Sequence, residues 1–593
     1  MSEADDVRWD LSFLYRGFDD PLLEREQRAA VDAVDAFVAE YRGRVASLDA
    51  GELLTALRAY EDLSRLARRP GRFAQLSFAA NTEDPRARAA QASTAAFAAE
   101  LGAKIVFFGL ELKDLPRDHL DTIEASSDLR AYAHHLAFQR LFRPYSLSED
   151  AEATITRKEV TGKDAWVQLY MQITGALRFL VEHDGTVREL TDGEIGPLLE
   201  DPDRSLREAA GAARATAYAP HHDVLTFVFN TLFEDHRSEM EARGYDDVTE
   251  FTVLHDDLTP GVLRALLDAV SGRRDLSHRY QALRARVLGL ADYSSHDRAV
   301  PLFGAESAIP WAEARAMVED AFDAFSPQLG DIAREFFTDD RIDAFPRRGK
   351  KGGAFCSPGM PPDPPVVSLN FGGTISDVFT LAHELGHGMH FALSAGQSPL
   401  NFHTGMPLAE TASVFAELLL LRRLLESADA DPDARRRLLD RQVHGAMNTA
   451  WTQIAFVSWE IKAHARRAEG VATGDEYAAL WIDEMHALWG EAVRTTEADR
   501  WAWMRIPHFV FARFYCYAYA FGKLLTLSLY GVWQERGDAF VDDYLALLAA
   551  GGSSSPRELV AKLGLDLSDP GFWHRGISVV EAHLAELEAL ASP

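Results

Sequence analysis

The stretch of sequence that decides the fold is residues 377–387, DVFTLAHELGH, in which two histidines stand four positions apart. On an α-helix, side chains four apart lie on one face, with Cβ atoms roughly 5–6 Å apart. His383 and His387 can therefore bind the same Zn²⁺ ion, for which imidazole is a preferred ligand. Glu384 stands at the edge of that face, where its carboxylate can take a proton from water instead of binding the metal. The pattern predicts a hydrolytic metal site.

The flanking residues predict a buried helix that follows a short strand. Thr374 followed by Asp377 is typical of a helix start, and no proline occurs between residues 378 and 393. The run PVVSLNF at residues 365–371 is typical of a strand.

Two glycines follow the first histidine of the motif. Gly386 and Gly388 each lower helix propensity by roughly 1 kcal/mol relative to alanine. We therefore expect substrate or a neighbouring element to come close to them.

Four downstream residues are candidates for the third metal ligand: His390, His403, Glu410 and Glu417. His390 lies about two helical turns from His383, so one ion could not easily bind the rings of His383, His387 and His390 together. His403 lies in a predicted loop, whereas Glu410 lies in the first turn of a predicted helix that begins near Pro407. That helix can bring Glu410 to the metal, although a glutamate there also suits the helix dipole. Glu417, on the same face, can accept the free ring N–H of a ligating histidine.

Further motifs extend the pattern along nearly the whole chain. They are residues 9–15 (WDLSFLY), 147–149 (LSE), 161–166 (TGKDAW), 369–374 (LNFGGT), 404–413 (TGMPLAETAS), 551–556 (GGSSSP) and 569–573 (DPGFW). Together with residues 377–387, they resemble the oligoendopeptidase F branch of the thimet-oligopeptidase family of zinc metallopeptidases.

The resemblance implies one Zn²⁺ per chain, held by His383, His387 and Glu410, with Glu384 as general base. It also implies a mainly α fold, in which two multi-helix parts enclose a deep groove and a small β-sheet lies beside the zinc-binding helix. Such an enclosure would admit short unfolded oligopeptides and exclude folded proteins.

An aromatic-rich segment follows about a hundred residues downstream, at residues 508–522. If it is one helix, Tyr515 and Tyr519 share a face with His508, and Tyr517 points away. Aromatic helices are commonly core elements. However, members of the family that this chain resembles carry a histidine followed by tyrosines in this region. The resemblance therefore implies that His508 and a tyrosine stabilise the oxyanion of the reaction. Tyr515 is the first choice, and Tyr517 and Tyr519 stay open.

Composition predicts that most of the chain of 593 residues is helical. The clearest helical stretches are residues 25–42, 52–69, 85–110, 203–217, 312–325, 434–444 and 476–489. Residues 179–190 alternate around Asp184-Gly185, as a β-hairpin does. We therefore expect an amino-terminal helical domain, residues 1–195, that ends in a short hairpin, and a helical zinc metallopeptidase domain, residues 196–593.

The basic stretch at residues 347–353, RRGKKGG, predicts a mobile loop that leads into a strand at residues 354–356, and a merely solvated loop is the alternative. With the strand at residues 366–371, it would form a sheet whose edge can pair with an extended peptide. Recognition would then depend mainly on the peptide backbone.

The net charge of −30 disfavours nucleic acid and anionic membranes as partners. The acidic amino terminus has no apolar signal-peptide core, and the two cysteines imply no disulfide framework. We therefore expect a cytoplasmic protein, and the sequence leaves its oligomeric state open.

These observations predict a zinc-dependent endopeptidase that hydrolyses internal bonds of short, unfolded oligopeptides through water and a glutamate base. A helical zinc carboxypeptidase is the nearest alternative. A catalytically silent scaffold that binds peptides is the alternative of a different class. The sequence does not indicate the preferred side chains at the cut, the substrate length limit or the physiological peptides.

Overall fold

Helices dominate the computed structural model, which describes residues 7–116, 119, 126–304, 308–428 and 431–591. Each helical stretch predicted from composition corresponds to an observed helix: Pro21–Tyr41, Ala50–Ala80, Pro85–Lys113, Arg204–Tyr218, Trp311–Phe325, Pro432–Ala446 and Gly474–Trp489. The predicted mainly α fold class is confirmed. Among the described helices, none is both long enough and apolar enough to span a bilayer.

The chain forms two compact units, each assembled from three separated segments. The first comprises Met1–Arg143, Glu306–Leu424 and Val532–Leu565, and the second comprises Pro144–Ala305, Leu425–Gly531 and Asp566–Pro593. The predicted boundary between residues 195 and 196 falls within one segment of the second unit. The division into domains 1–195 and 196–593 stays a prediction.

The remaining α-helices complete the two units. Those of the first unit are Ala133–Leu141, Pro327–Thr338, Ile375–Ser394, Met406–Ala409, Val541–Ala549 and Pro556–Lys562. Those of the second unit are Glu149–Glu159, Lys163–Ala176, Asp192–Ile195, His222–Arg243, Glu250–His255, Pro260–Ser271, Arg274–Val287, Thr452–Ala468, Glu497–Arg500, His508–Phe511 and Pro570–Leu590. The helices Thr411–Ser427 and Tyr517–Arg536 each contain a segment boundary, after Leu424 and after Gly531.

The described strands form two small sheets. In the second unit, β1 (Phe179–His183) and β2 (Thr186–Leu190) form the predicted hairpin. Its turn residues Asp184 and Gly185 both have positive φ, as a type I′ hairpin turn requires. In the first unit, β3 (Ile342–Asp343), β4 (Phe355–Ser357) and β5 (Val366–Ser368) form a sheet of order β3-β5-β4. The predicted pair β4 and β5 is antiparallel, and β4 is an edge strand.

The basic stretch before β4 is a loop, as predicted, but it is not wholly solvated. The Lys350 side chain is fully buried, and its ammonium lies 3.0 Å from the buried Asp343 carboxylate of β3. The same ammonium donates to the backbone carbonyls of Asp343, Phe345 and Leu369. Arg347 also contacts both oxygens of Asp343. The loop is therefore anchored to the sheet by charge, because a buried carboxylate needs cationic partners.

The motif helix, Ile375–Ser394, begins where the sequence predicts. The Thr374 hydroxyl accepts a hydrogen bond from the Asp377 N–H, and the Asp377 carboxylate accepts one from the Thr374 N–H at 2.9 Å. This reciprocal capping satisfies two backbone donors that the helix cannot satisfy itself. Val378, Leu381 and Leu385 are fully buried, so the motif helix is held inside the first unit.

Candidate active site

Three side chains of the first unit bring their donor atoms together. The Nε2 atoms of His383 and His387 lie 3.3 Å and 3.5 Å from the same Glu410 oxygen, Oε2. All three donor atoms lie within 4.8 Å of one another. His383 and His387 occupy successive turns of the motif helix, as their spacing requires.

Glu410 reaches this point from a helix junction. The short helix Met406–Ala409 ends at Glu410, and the next helix, Thr411–Ser427, begins immediately after it. The prediction of a first-turn position within one continuous helix is therefore wrong in detail. The Glu410 carbonyl still accepts from the Val414 N–H, so this residue opens the second helix while its side chain turns towards the histidines.

The donor set fits a divalent metal ion. Two imidazole nitrogens and one carboxylate oxygen form a typical catalytic zinc set that leaves a position open. Ligands about 2.0–2.2 Å from a tetrahedral ion are separated from each other by roughly 3.3–3.6 Å, close to the separations seen here. The Glu410 side chain is 48 % exposed, so one side of the cluster faces solvent.

Neighbouring groups orient each donor. The Glu417 Oε1 atom lies 2.6 Å from His383 Nδ1, which is the contact predicted for Glu417. A ring N–H of His387 donates to the carbonyl of Ala409. The Ser413 hydroxyl donates to Glu410 Oε2 at 2.8 Å. Such contacts select the histidine tautomer and hold ligands in place.

Two of the candidate ligands are not part of the cluster. Within the described ranges, the three-residue group includes neither His390 nor His403. His390 is buried and His403 lies at the surface. The helical geometry that disfavoured His390 therefore agrees with its observed position.

Glu384 is 7 % exposed and belongs to the same helix. Burial raises its pKa to about 7, and the nearby Glu410 charge acts in the same direction against the His383 charge. The backbone N–H of Cys356 in β4 donates to its carboxylate. A bound divalent cation would lower this pKa, because positive charge favours the carboxylate. A general base is most effective when its pKa lies near the working pH.

The glycines of the motif helix mark close contact with neighbouring elements. A Cβ atom at Gly386 would lie 2.6 Å from both the Ala412 carbonyl oxygen and Ser413 Cα. A Cβ atom at Gly388 would lie 2.3 Å from the Phe336 ring. The prediction that a neighbouring element approaches these glycines is confirmed. Gly386 lets the backbone beyond Glu410 pack directly on the motif helix.

The aromatic residues of the second unit do not form one continuous helix. His508–Phe511 is a single short helix, and a regular helix resumes only at Tyr517. Between them Phe514 has φ +59°, which interrupts helical geometry. The predicted helix over residues 508–522 is therefore wrong, and a turn gathers the side chains instead.

The turn nevertheless brings three of the predicted aromatic residues together. His508 Nε2 lies 3.1 Å from the Tyr519 hydroxyl, and the His508 and Tyr515 rings are nearly parallel with centroids 6.0 Å apart. Tyr517 is fully buried, and its hydroxyl donates to Asp256 at 2.5 Å. Tyr517 is therefore committed to the interior, as its predicted orientation implied.

Comparison with known proteins agrees with this architecture. Residues 197–579 match peptidase family M3, and residues 111–179 match the family described as oligopeptidase F. The chain is 26 % identical to group B oligopeptidase PepB of Streptococcus agalactiae over 99 % of this chain and 97 % of that protein.

Solved structures share the fold. A protein structure from Chlamydophila abortus matches with a TM-score of 0.87 and 22 % identity, covering 100 % of this chain and 99 % of that one. Oligoendopeptidase F from Enterococcus faecium matches with a TM-score of 0.70 and 22 % identity, covering 96 % and 98 %. The M3 match spans more than half of the sequence and includes the histidine and glutamate cluster. This chain therefore belongs to peptidase family M3 and is a metalloendopeptidase of the oligoendopeptidase F type.

Proposed function

We propose that this enzyme uses zinc to hydrolyse internal peptide bonds of short, unfolded oligopeptides. The observation that carries the proposal is the convergence of His383, His387 and Glu410 on one face, with the buried Glu384 beside them. When bound, the ion supplies Lewis-acid chemistry by lowering the pKa of water and polarising the scissile carbonyl. The identity of the metal as zinc, and a cytoplasmic location, belong to the same proposal.

Glu384 is the proposed general base. Its carboxylate accepts a proton from the attacking water and then delivers that proton to the leaving amine. Its position supports this role, because the carboxylate is buried on the helix that carries two of the three donor atoms and follows directly after His383. The Cys356 N–H holds the carboxylate in one orientation, because it donates to the same group.

Strand β4 is the proposed docking edge for the substrate backbone. It lies at the edge of its sheet, and its Cys356 amide contacts Glu384. An extended peptide that pairs with this edge would pass close to the base, and main-chain pairing needs no particular side chain. This arrangement would suit an enzyme with broad side-chain tolerance.

His508 and Tyr515 are the proposed donors to the oxyanion that forms at the scissile carbonyl. Each well-placed donor contributes about 3 kcal/mol to transition-state stabilisation. The contact between Tyr517 and Asp256 argues against Tyr517, while Tyr519 contacts His508 and is the alternative donor.

The test uses an internally quenched peptide whose two ends are chemically blocked. Wild type, Glu384→Gln and the exposed control Glu313→Gln are compared for cleavage and for bound metal. We expect internal cleavage by wild type and by the control. We expect Glu384→Gln to keep its metal and lose kcat by about 10²-fold to 10⁴-fold, the usual range for a missing general base.

Three results would contradict different parts of the proposal. Bound metal without turnover in wild type would indicate a silent peptide-binding scaffold. Cleavage only after the carboxyl end is unblocked would indicate a carboxypeptidase. Undiminished turnover in Glu384→Gln would remove Glu384 from the mechanism while leaving the metal site intact.

A further inference from the structure

The turn that carries Tyr515 contains a strained residue. Phe514 has φ +59°, in the left-handed region, although its side chain is bulky and fully buried. Such a conformation is unfavourable for a bulky side chain and persists only where the surroundings hold it. The surroundings of Phe514 therefore decide how the next residue, Tyr515, is presented.

One buried carboxylate holds this backbone. Both oxygens of Glu460 lie 3.0 Å from the Phe514 nitrogen and accept its N–H. Glu460 is fully buried on the helix Thr452–Ala468, directly after the π-helical turn Met447–Trp451. Burying a carboxylate is costly unless it is well paired. Glu460 bonds the strained Phe514 N–H and interacts electrostatically with Arg513, so both of its partners lie in this turn. Its position therefore indicates a role in shaping the turn.

Other contacts fix the two sides of the turn. Thr252 donates its hydroxyl to the Arg513 carbonyl at 3.2 Å, and Tyr517 donates to Asp256 at 2.5 Å. Glu460 differs from both, because it bonds the residue whose φ is strained. Without that bond, Phe514 can relax towards negative φ, which would rotate Tyr515 away from its parallel arrangement with His508.

We propose that Glu460 is a positioning residue for catalysis, which holds Phe514 in the left-handed conformation and so orients Tyr515 beside His508. This inference rests on the proposed role of Tyr515 in binding the oxyanion. Glu460 itself contacts backbone and does not touch the reacting atoms. Its effect therefore passes through Tyr515.

The test is a double-mutant cycle of Glu460→Gln and Tyr515→Phe, measured as kcat and KM on the blocked peptide. Glutamine keeps the size of the side chain but places an NH₂ group, which cannot accept the Phe514 N–H, where one of two oxygens lies 3.0 Å from the Phe514 nitrogen. We expect Glu460→Gln to lower kcat by about 10-fold to 100-fold with little change in KM, since misplacement by about 1 Å can cost on the order of 10²-fold. The double variant should be no slower than the slower single variant, because both changes remove the same stabilisation of the oxyanion by Tyr515.

The control is Glu484→Gln. Glu484 is a buried carboxylate of the same unit, 2 % exposed, and it pairs with Arg274 and Lys462. We expect this variant to lower the unfolding temperature and leave kcat near that of wild type. If Glu460→Gln does not fold, Glu460→Asp enters the same cycle, with a smaller loss of kcat expected because one acceptor contact can persist.

The possible failures are distinguishable. The positioning role of Glu460 is overturned, and the role of Tyr515 kept, if Tyr515→Phe is slow while the Glu460 variant has the wild-type kcat. Additive losses of the two single variants in the double variant would have the same meaning. A full rate in Tyr515→Phe overturns the oxyanion role of Tyr515, and with it the positioning role that depends on it. Metal content stays at the wild-type value in every variant if the changes act as proposed.

Discussion

The Glu417 carboxylate accepts from one side of the His383 ring, 2.6 Å from Nδ1, while Nε2 of the same ring faces Glu410. This contact places the ring proton on Nδ1 and leaves the Nε2 lone pair available for a metal. The carboxylate also increases the electron density that His383 offers to a cation. Glu417, seven residues beyond Glu410, would therefore support the proposed metal site by orienting His383.

Replacing Glu417 tests this support. We expect Glu417→Ala to weaken zinc binding by about 10-fold to 100-fold, the usual loss when a metal-binding histidine loses its outer hydrogen-bond partner. Affinity is measured by competition with a chromogenic chelator, with Glu313→Ala as the exposed control in the same unit. Added zinc should restore most of the activity. An unchanged affinity would mean that Glu417 does not orient His383.

Gly386 tests the close packing beneath the metal site. In Gly386→Ala the new methyl group would overlap the backbone at Ala412 and Ser413, so the helix junction that carries Glu410 must shift. We expect a loss of about 1–3 kcal/mol in unfolding free energy, as for other overpacked sites, together with weaker metal binding. The helical control Gly445→Ala has open space at its Cβ and should be neutral or slightly stabilising. Equal behaviour of the two variants would contradict this account.

Lys350 tests the anchoring of the loop before β4. In Lys350→Met the buried Asp343 and several backbone carbonyls lose their shared donor. Removing one partner of a buried ion pair typically costs about 3–5 kcal/mol, so the unfolding temperature should fall clearly. The neighbouring exposed residue supplies the control, Lys351→Met, which should melt near wild type. A wild-type melting temperature for Lys350→Met would show that Arg347 alone satisfies Asp343.

The pH dependence of stability tests the environment of Glu460. Burial raises its pKa to about 8, against the lowering effects of the Phe514 N–H and the Arg513 charge, whereas an unfolded glutamate titrates near about 4.3. The folded state therefore holds this proton over a window in which the unfolded state has lost it. The stabilisation that Glu460 contributes is fully present below its pKa in the unfolded state. It is lost as pH rises through its pKa in the folded state. We expect the melting temperature of wild type minus that of Glu460→Gln to decrease between pH 5 and pH 8. A constant difference would contradict the raised pKa.

Much of the site follows from local rules that the sequence displays. The spacing of His383 and His387 predicts their common face, and Thr374 with Asp377 predicts the helix start. Asp184-Gly185 predicts the hairpin turn. In each case the partners lie within a few residues of one another, so helix and turn geometry decides the outcome.

The features that were not predicted depend on distant residues. The helix over residues 508–522 was predicted because its sequence has helical spacing, but the buried Glu460 stabilises a turn at Phe514 instead. Likewise, the Cys356 amide meets Glu384, and Lys350 finds Asp343, only through the pairing of the sheet. Sequence spacing carries no signal for such contacts, since they arise from tertiary packing.

The proposed endopeptidase activity requires one divalent ion on His383, His387 and Glu410. A metal titration of chelator-treated protein, assayed with the doubly blocked peptide, tests this requirement. We predict that activity is absent without metal and rises linearly with zinc to one equivalent per chain, with no such rise in His387→Ala. Full activity in the metal-free protein, or equal restoration of His387→Ala, would contradict the account.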